Sequence, residues 1–179
     1  AIITLLFAAC EIGPIPLSDG ISIQELERDA FSNVDFGDLR HAQGHPVGAL
    51  KDSTHGTWVP FVLNQLVVTV DAGLETQVLT RLNEVLLTFG FSGATSLARE
   101  DITWLDGSAE KRTLVVSWDP PALPQIPAAL TEFLPDLGPW LESGQNLALS
   151  SLEAASTLAA ASRLINAGFA VSPNFVTAL

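Results

Sequence analysis

The sequence predicts an α+β fold: a ferredoxin-like split βαβ sandwich, with an antiparallel sheet and two main helices, preceded by an irregular N-terminal tether. Three observations predict it. Asn64 to Val70 (NQLVVTV) is β-branched and alternating, with Leu66, Val68 and Val70 set against Val67 and Thr69. A turn at Asp71-Ala72-Gly73 then leads into a helical stripe of Leu74, Val78, Leu82, Val85, Leu86 and Phe89. Beyond residue 58 the elements follow the order strand, helix, strand, strand, helix, strand. The first helix cannot bury its stripe alone, so it must pack on a sheet that contains residues 65–70.

Each element has a local reason. The first strand enters at Trp58, and Pro60 marks its start or an edge, since proline lacks the ladder donor. On the first helix, Glu75, Thr76, Arg81 and Glu84 form the polar side, and Gly90 stands where a left-handed C-cap is expected. Ser92 to Leu105 is a weaker strand region whose apolar part is Ile102, Trp104 and Leu105. Asp106-Gly107-Ser108 is a turn, and Arg112 to Trp118 (RTLVVSW) a clear strand. Pro120, Pro121, Pro124 and Pro127 stop regular structure, Ala128 to Leu134 can make a short helix, and Pro135 to Asn146 reads as loop. The second helix runs from Ser150 to Gly168, with Ser150 and Glu153 at capping-box spacing. Its face of Ala154, Leu158, Ala161 and Ile165 is rich in alanine, which permits close approach to a sheet or helix. Phe169 to Val176 is a last short strand, with Pro173 confined to an edge or to the strand's end.

The chain has 179 residues, 47% of them hydrophobic, which fits one domain with a real core. Eight basic residues stand against twenty acidic ones, a net charge of −12. A nucleic-acid partner is therefore not expected, because phosphate binding needs clustered Lys and Arg. No cofactor is expected either. Gly90-Phe91-Ser92-Gly93 is too short for a phosphate loop and lacks its lysine, and no Cys/His cluster has metal-ligand spacing. His41, His45 and His55 all precede residue 58, so a Ser-His-Asp or Cys-His nucleophile system cannot be assembled within 58–179. Beside Asp38 and Asp52 these histidines read as solvated loop residues. Glu100, Asp101 and Asp106 read as a solvated edge. We expect the segment not to be an enzyme by itself.

The N-terminal third divides at Cys10. Ala1 to Ala9 (AIITLLFAA) is too short to span a bilayer and has the character of a signal-peptide h-region remnant. The chain has no methionine and starts at Ala1, and we expect residues upstream of it. Leu6-Phe7-Ala8-Ala9-Cys10 resembles a bacterial lipobox, with phenylalanine in place of the usual leucine. That resemblance implies lipidation of Cys10 and a secreted or cell-envelope location. The other reading of 1–10 is a buried first strand with Cys10 as a small hydrophobe. Residues 10–57, rich in Gly, Pro, Ser and Asp, read as anchor and flexible linker, and 58–179 as the folded domain.

Several strings in 64–176 resemble the N-terminal prodomain of bacterial subtilisin-like serine peptidases. They are the strand Asn64 to Val70, the helix ending Leu87-Thr88-Phe89-Gly90, the strand Arg112 to Trp118 with Asp119-Pro120, and the closing Pro173-Asn174-Phe175-Val176. The stretch from Pro120 to Ser150 departs from the family's compact pattern. The resemblance implies an intramolecular chaperone and inhibitor whose partner is a cognate serine peptidase catalytic domain encoded downstream. Its sheet would pack on two helices of that domain. Its tail, Pro173, Asn174, Phe175, Val176, Thr177, Ala178 and Leu179, would enter the substrate cleft by strand addition. A stand-alone envelope lipoprotein with a ferredoxin-like binding domain is the alternative.

Overall fold

The computed structural model describes residues 15–18, 20–24, 41–42, 45–52, 56–87, 92–102, 111–119, 134–140 and 146–176. The fold is α+β, built on β5 (Trp58–Asp71), a 14-residue strand that changes partners halfway along. Its first half pairs antiparallel with β4 (His45–Asp52), from Val47 opposite Val62 to Lys51 opposite Trp58. Its second half pairs antiparallel with β7 (Lys111–Asp119), from Gln65 opposite Ser117 to Asp71 opposite Lys111. β7 pairs antiparallel with β6 (Ser92–Ile102). The last strand, β9 (Ala170–Phe175), lies antiparallel along β5. Phe61 pairs with both Gly48 and Phe175, and Leu66 with both Val116 and Pro173, so β9 takes the edge that β4 and β7 leave open.

The far wing of the sheet comes from sequence-distant pieces. β8 (Leu147–Leu149) pairs antiparallel with β4 and parallel with β2 (Ile21–Ile23), which pairs with β1 (Ile15–Ser18). A two-residue β3 (His41–Ala42) also pairs with β4. The flexible linker expected over 10–57 is thus corrected where the chain is described. Ala49 is 0% and Ile21 4% exposed, so both belong to the core, and the sheet crosses the expected boundary at residue 58. These strands are short and punctuated by Gly and Pro. Their partner at 147–149 is about a hundred residues away, which a local period cannot reveal.

Two helices cover one face of the sheet. α1 (Glu75–Leu87) follows a turn in which Gly73 takes φ 90° and the Leu74 N–H donates to the Asp71 carbonyl at 3.1 Å. Leu82 and Leu86 are buried as the stripe requires, and Val78 and Leu79 pack against the core. Leu74 is corrected: it is 44% exposed. It serves as the N-cap, its carbonyl accepting from the Val78 N–H at 2.9 Å, and a cap residue's backbone carries the side chain off the helical stripe. Phe89 and Gly90 lie outside the described residues.

α2 (Leu152–Asn166) contacts β4, β5, β8, β9 and α1. Its N-cap is Ser151, whose Oγ accepts the Ala154 N–H at 3.1 Å. The expected capping box on Ser150 is corrected, because that hydroxyl accepts the Ala49 N–H at 2.8 Å and serves the sheet instead. At the other end the Gly168 N–H donates to Ile165 O and the Phe169 N–H to Leu164 O, a Schellman closure with Gly168 at φ 92°. Ile165 is 45% exposed and Leu164 0%, so the buried face at this end runs through Ala161 and Leu164, not Ile165. Leu134–Trp140, expected in part as loop, is a 3₁₀ helix strapped to α2. The Trp140 indole donates to Leu158 O at 3.1 Å and Ser162 Oγ at 2.7 Å, Arg163 pairs with Asp136 at 2.7 Å, and Leu137 is fully buried.

Candidate interaction site at the C-terminal strand

The Schellman turn reverses the chain from α2 into β9 and sets Val171 opposite Val68 and Pro173 opposite Leu66. Pro173 is buried, and its missing N–H suits a strand that pairs with β5 alone among the described residues. The next three residues fasten the strand's end. The Asn174 side-chain Nδ2 donates to Gln65 Oε1. The Phe175 ring meets Phe61 edge to face, centroids 6.2 Å apart at 81°. The Val176 N–H donates to the Pro60 carbonyl at 2.9 Å.

The strand they grip is bent. Between Phe61 and Leu66, β5 makes a longer excursion than β9 makes between Pro173 and Phe175. Asn64, at the centre of that excursion, has φ 54°, a left-handed conformation that asparagine tolerates better than β-branched neighbours would. Its N–H donates to Thr157 Oγ1 at 3.0 Å, and that hydroxyl donates to Glu153 O at 2.9 Å, which ties the bend to α2. Asn64 and Gln65 are 7% and 4% exposed, so two amide side chains are buried beneath the strand's end. Asn64 Oδ1 is among the buried polar atoms that lack a hydrogen-bond partner.

Of the residues singled out from sequence, Pro173, Asn174, Phe175 and Val176 come together here. Thr177, Ala178, Leu179 and Cys10 lie outside the described residues. His41 and His45 fall in β3 and β4, with His45 exposed, and His55 lies outside the described residues. Among the described residues, no group of three or more His, Cys, Asp or Glu side chains is placed to hold a metal ion. None of their helices is long and apolar enough to cross a membrane. The residues missed from sequence are Phe61, Asn64 and Gln65. Their signal was available: two adjacent amides interrupt the apolar run from Trp58 to Val70. An uncharged edge strand with an exposed aromatic at its end is suited to backbone pairing with another extended segment.

No family model matches this chain, and no curated protein or solved structure matches it.

Proposed function

We propose that this chain is a prodomain of a subtilisin-like serine peptidase, acting as folding assistant and inhibitor, with its C-terminal residues in the peptidase's substrate cleft. The observation that carries the reading is the strand order β9-β5-β7-β6, antiparallel throughout, with α1 and α2 as the crossovers. That order supports the reading as a ferredoxin-like split βαβ sandwich, in which the C-terminal strand, an edge strand among the described residues, precedes Thr177-Ala178-Leu179 in the sequence. The face away from the helices supports docking on helices of a partner. Val67, Thr69, Thr113, Val115 and Ser117 on it are uncharged and half-buried. The catalytic residues would belong to the partner domain.

Inhibition constants against the cognate peptidase, for the full domain and for one lacking residues 177–179, test the reading. Main-chain pairing plus burial of the Leu179 side chain, ~1.5–3 kcal/mol, predicts about one to two orders of magnitude weaker inhibition for the truncated form, with an unchanged melting temperature. Equal constants would overturn it. The second reading, a stand-alone envelope lipoprotein with a binding domain, is favoured by one observation: β1, β2 and β4 enlarge the sheet beyond a compact prodomain. Both readings place the anchor at Cys10. Labelling of the precursor with a fatty-acid analogue, lost in Cys10→Ser, checks it, since stable attachment takes more than one acyl chain.

A further inference from the structure

We infer that Pro173 shuts the free edge of β9 against pairing with a second copy of this chain. Two observations fix which way the backbone groups of β9 point. The Val176 N–H donates to the Pro60 carbonyl at 2.9 Å, and these groups alternate along an extended strand, so Ser172, Asn174 and Val176 face β5. Independently, a residue without an N–H can stand opposite Leu66 only in the pair type whose bonds run between the flanking residues. Val171, Pro173 and Phe175 therefore turn their backbone groups to the outer edge. Among the described residues no strand pairs with that edge, and Ala170, Ser172 and Phe175 are exposed beside it. From Ala170 to Phe175 it carries no charge, the composition of an edge open to another copy of itself. Two copies related by a twofold axis would pair antiparallel, with Pro173 opposite Pro173 and Val171 opposite Phe175. The central pair of that ladder has no N–H on either chain, and each carbonyl meets a proline ring. Sliding the register to set Pro173 opposite Val171 or Phe175 keeps both prolines in the ladder, so both donors are still missing. An unrelated strand would forfeit only one donor, so the guard acts first against self-pairing.

Amide hydrogen exchange and sedimentation of the full chain test this. In the wild-type chain the Val171 and Phe175 amides are expected to exchange about tenfold or more faster than those of Ser172 and Asn174, which bond to β5. Protection of Val171 and Phe175 equal to that of these neighbours would overturn the inference without recourse to a variant. Pro173→Val gives each chain back one donor and is expected to self-associate about ten- to hundredfold more tightly, from two recovered hydrogen bonds per dimer. Its Val171 and Phe175 amides should then slow as protein concentration rises, while the Leu82 and Leu158 amides stay slow and report an intact fold. Should those helix amides lose protection, Pro173→Ala, which is smaller than the ring it replaces, supplies the same readings. A variant that keeps its fold and associates no more than the wild type would overturn the guard, as would association that leaves the Val171 and Phe175 amides fast. No peptidase enters these measurements, so their outcome is separate from that of the inhibition test.

Discussion

α1 and α2 lie on the same sheet and are held in opposite ways. α1 buries a narrow stripe centred on Leu82 and Leu86 and turns Thr76, Gln77, Arg81 and Glu84 to solvent. α2 is buried on all sides from Ala154 to Ser162, including Ser156, Thr157 and Ser162 at 2%, 0% and 1% exposure. Alanine makes this possible. A Cβ added at Gly48 of β4 would stand 3.0 Å from the Ala154 methyl and 2.4 Å from Leu63 Cδ2, so helix and strand already meet at the limit of contact. Full burial also obliges every polar group to find a partner. Ser156 Oγ donates to Glu153 O, Thr157 serves Asn64, and Ser162 accepts from Trp140. An amphipathic helix can be trimmed at its surface, whereas an enclosed one carries its neighbours with it.

The largest test is the matched pair Leu158→Ala and Leu82→Ala. Both leucines are 0% exposed, and both changes fall in the ~2–5 kcal/mol range for a buried leucine. The Leu158 site, closed by sheet, 3₁₀ strap and alanine packing, cannot collapse, and about 4 kcal/mol is expected there. The Leu82 cavity borders an exposed helix face that can relax, and about 2–3 kcal/mol is expected. Urea unfolding of the two variants decides. Equal losses would break the comparison.

Thr157→Val follows, at roughly 1–3 kcal/mol, because it preserves shape while leaving the Asn64 N–H buried without its acceptor. A loss below about 0.5 kcal/mol would mean that the bend does not depend on α2.

The difference between the helices also explains what could be read from sequence. The α1 stripe, the β5 alternation and the β7 run were legible because each is a local period over one half-buried face. The enclosed α2 has no polar face. Its pattern of Ala154, Leu158, Ala161 and Ile165 therefore captured one side of a helix buried on every side, and misplaced Ile165. The strands before residue 58 and at 147–149 are defined only by one another. At the candidate site, Pro173 announced an edge or a strand end, but the register that sets Asn174 beside Gln65 joins residues 109 apart in sequence, which no local period reveals.

The smallest test compares two arginines, one on each helix. Arg81 pairs with Glu84 at 2.6 Å within α1, with the side chains 61% and 56% exposed. Such a pair gains little in water, costs side-chain freedom and is screened by salt, so Arg81→Ala should change stability by no more than ~0.5 kcal/mol. Even that effect should vanish at about 1 M salt, where the screening length falls to ~3 Å. Arg163 pairs with Asp136 at 2.7 Å, the side chains 30% and 16% exposed, and joins the 3₁₀ strap to α2. Its partial desolvation and its role in closing a long loop favour a larger loss for Arg163→Ala, about 1 kcal/mol, less sensitive to salt. Urea unfolding of both variants at low and high salt separates the two cases. If Arg81→Ala costs as much as Arg163→Ala, the outer face of α1 contributes to stability after all, and the contrast between a trimmed helix and an enclosed one fails at its surface.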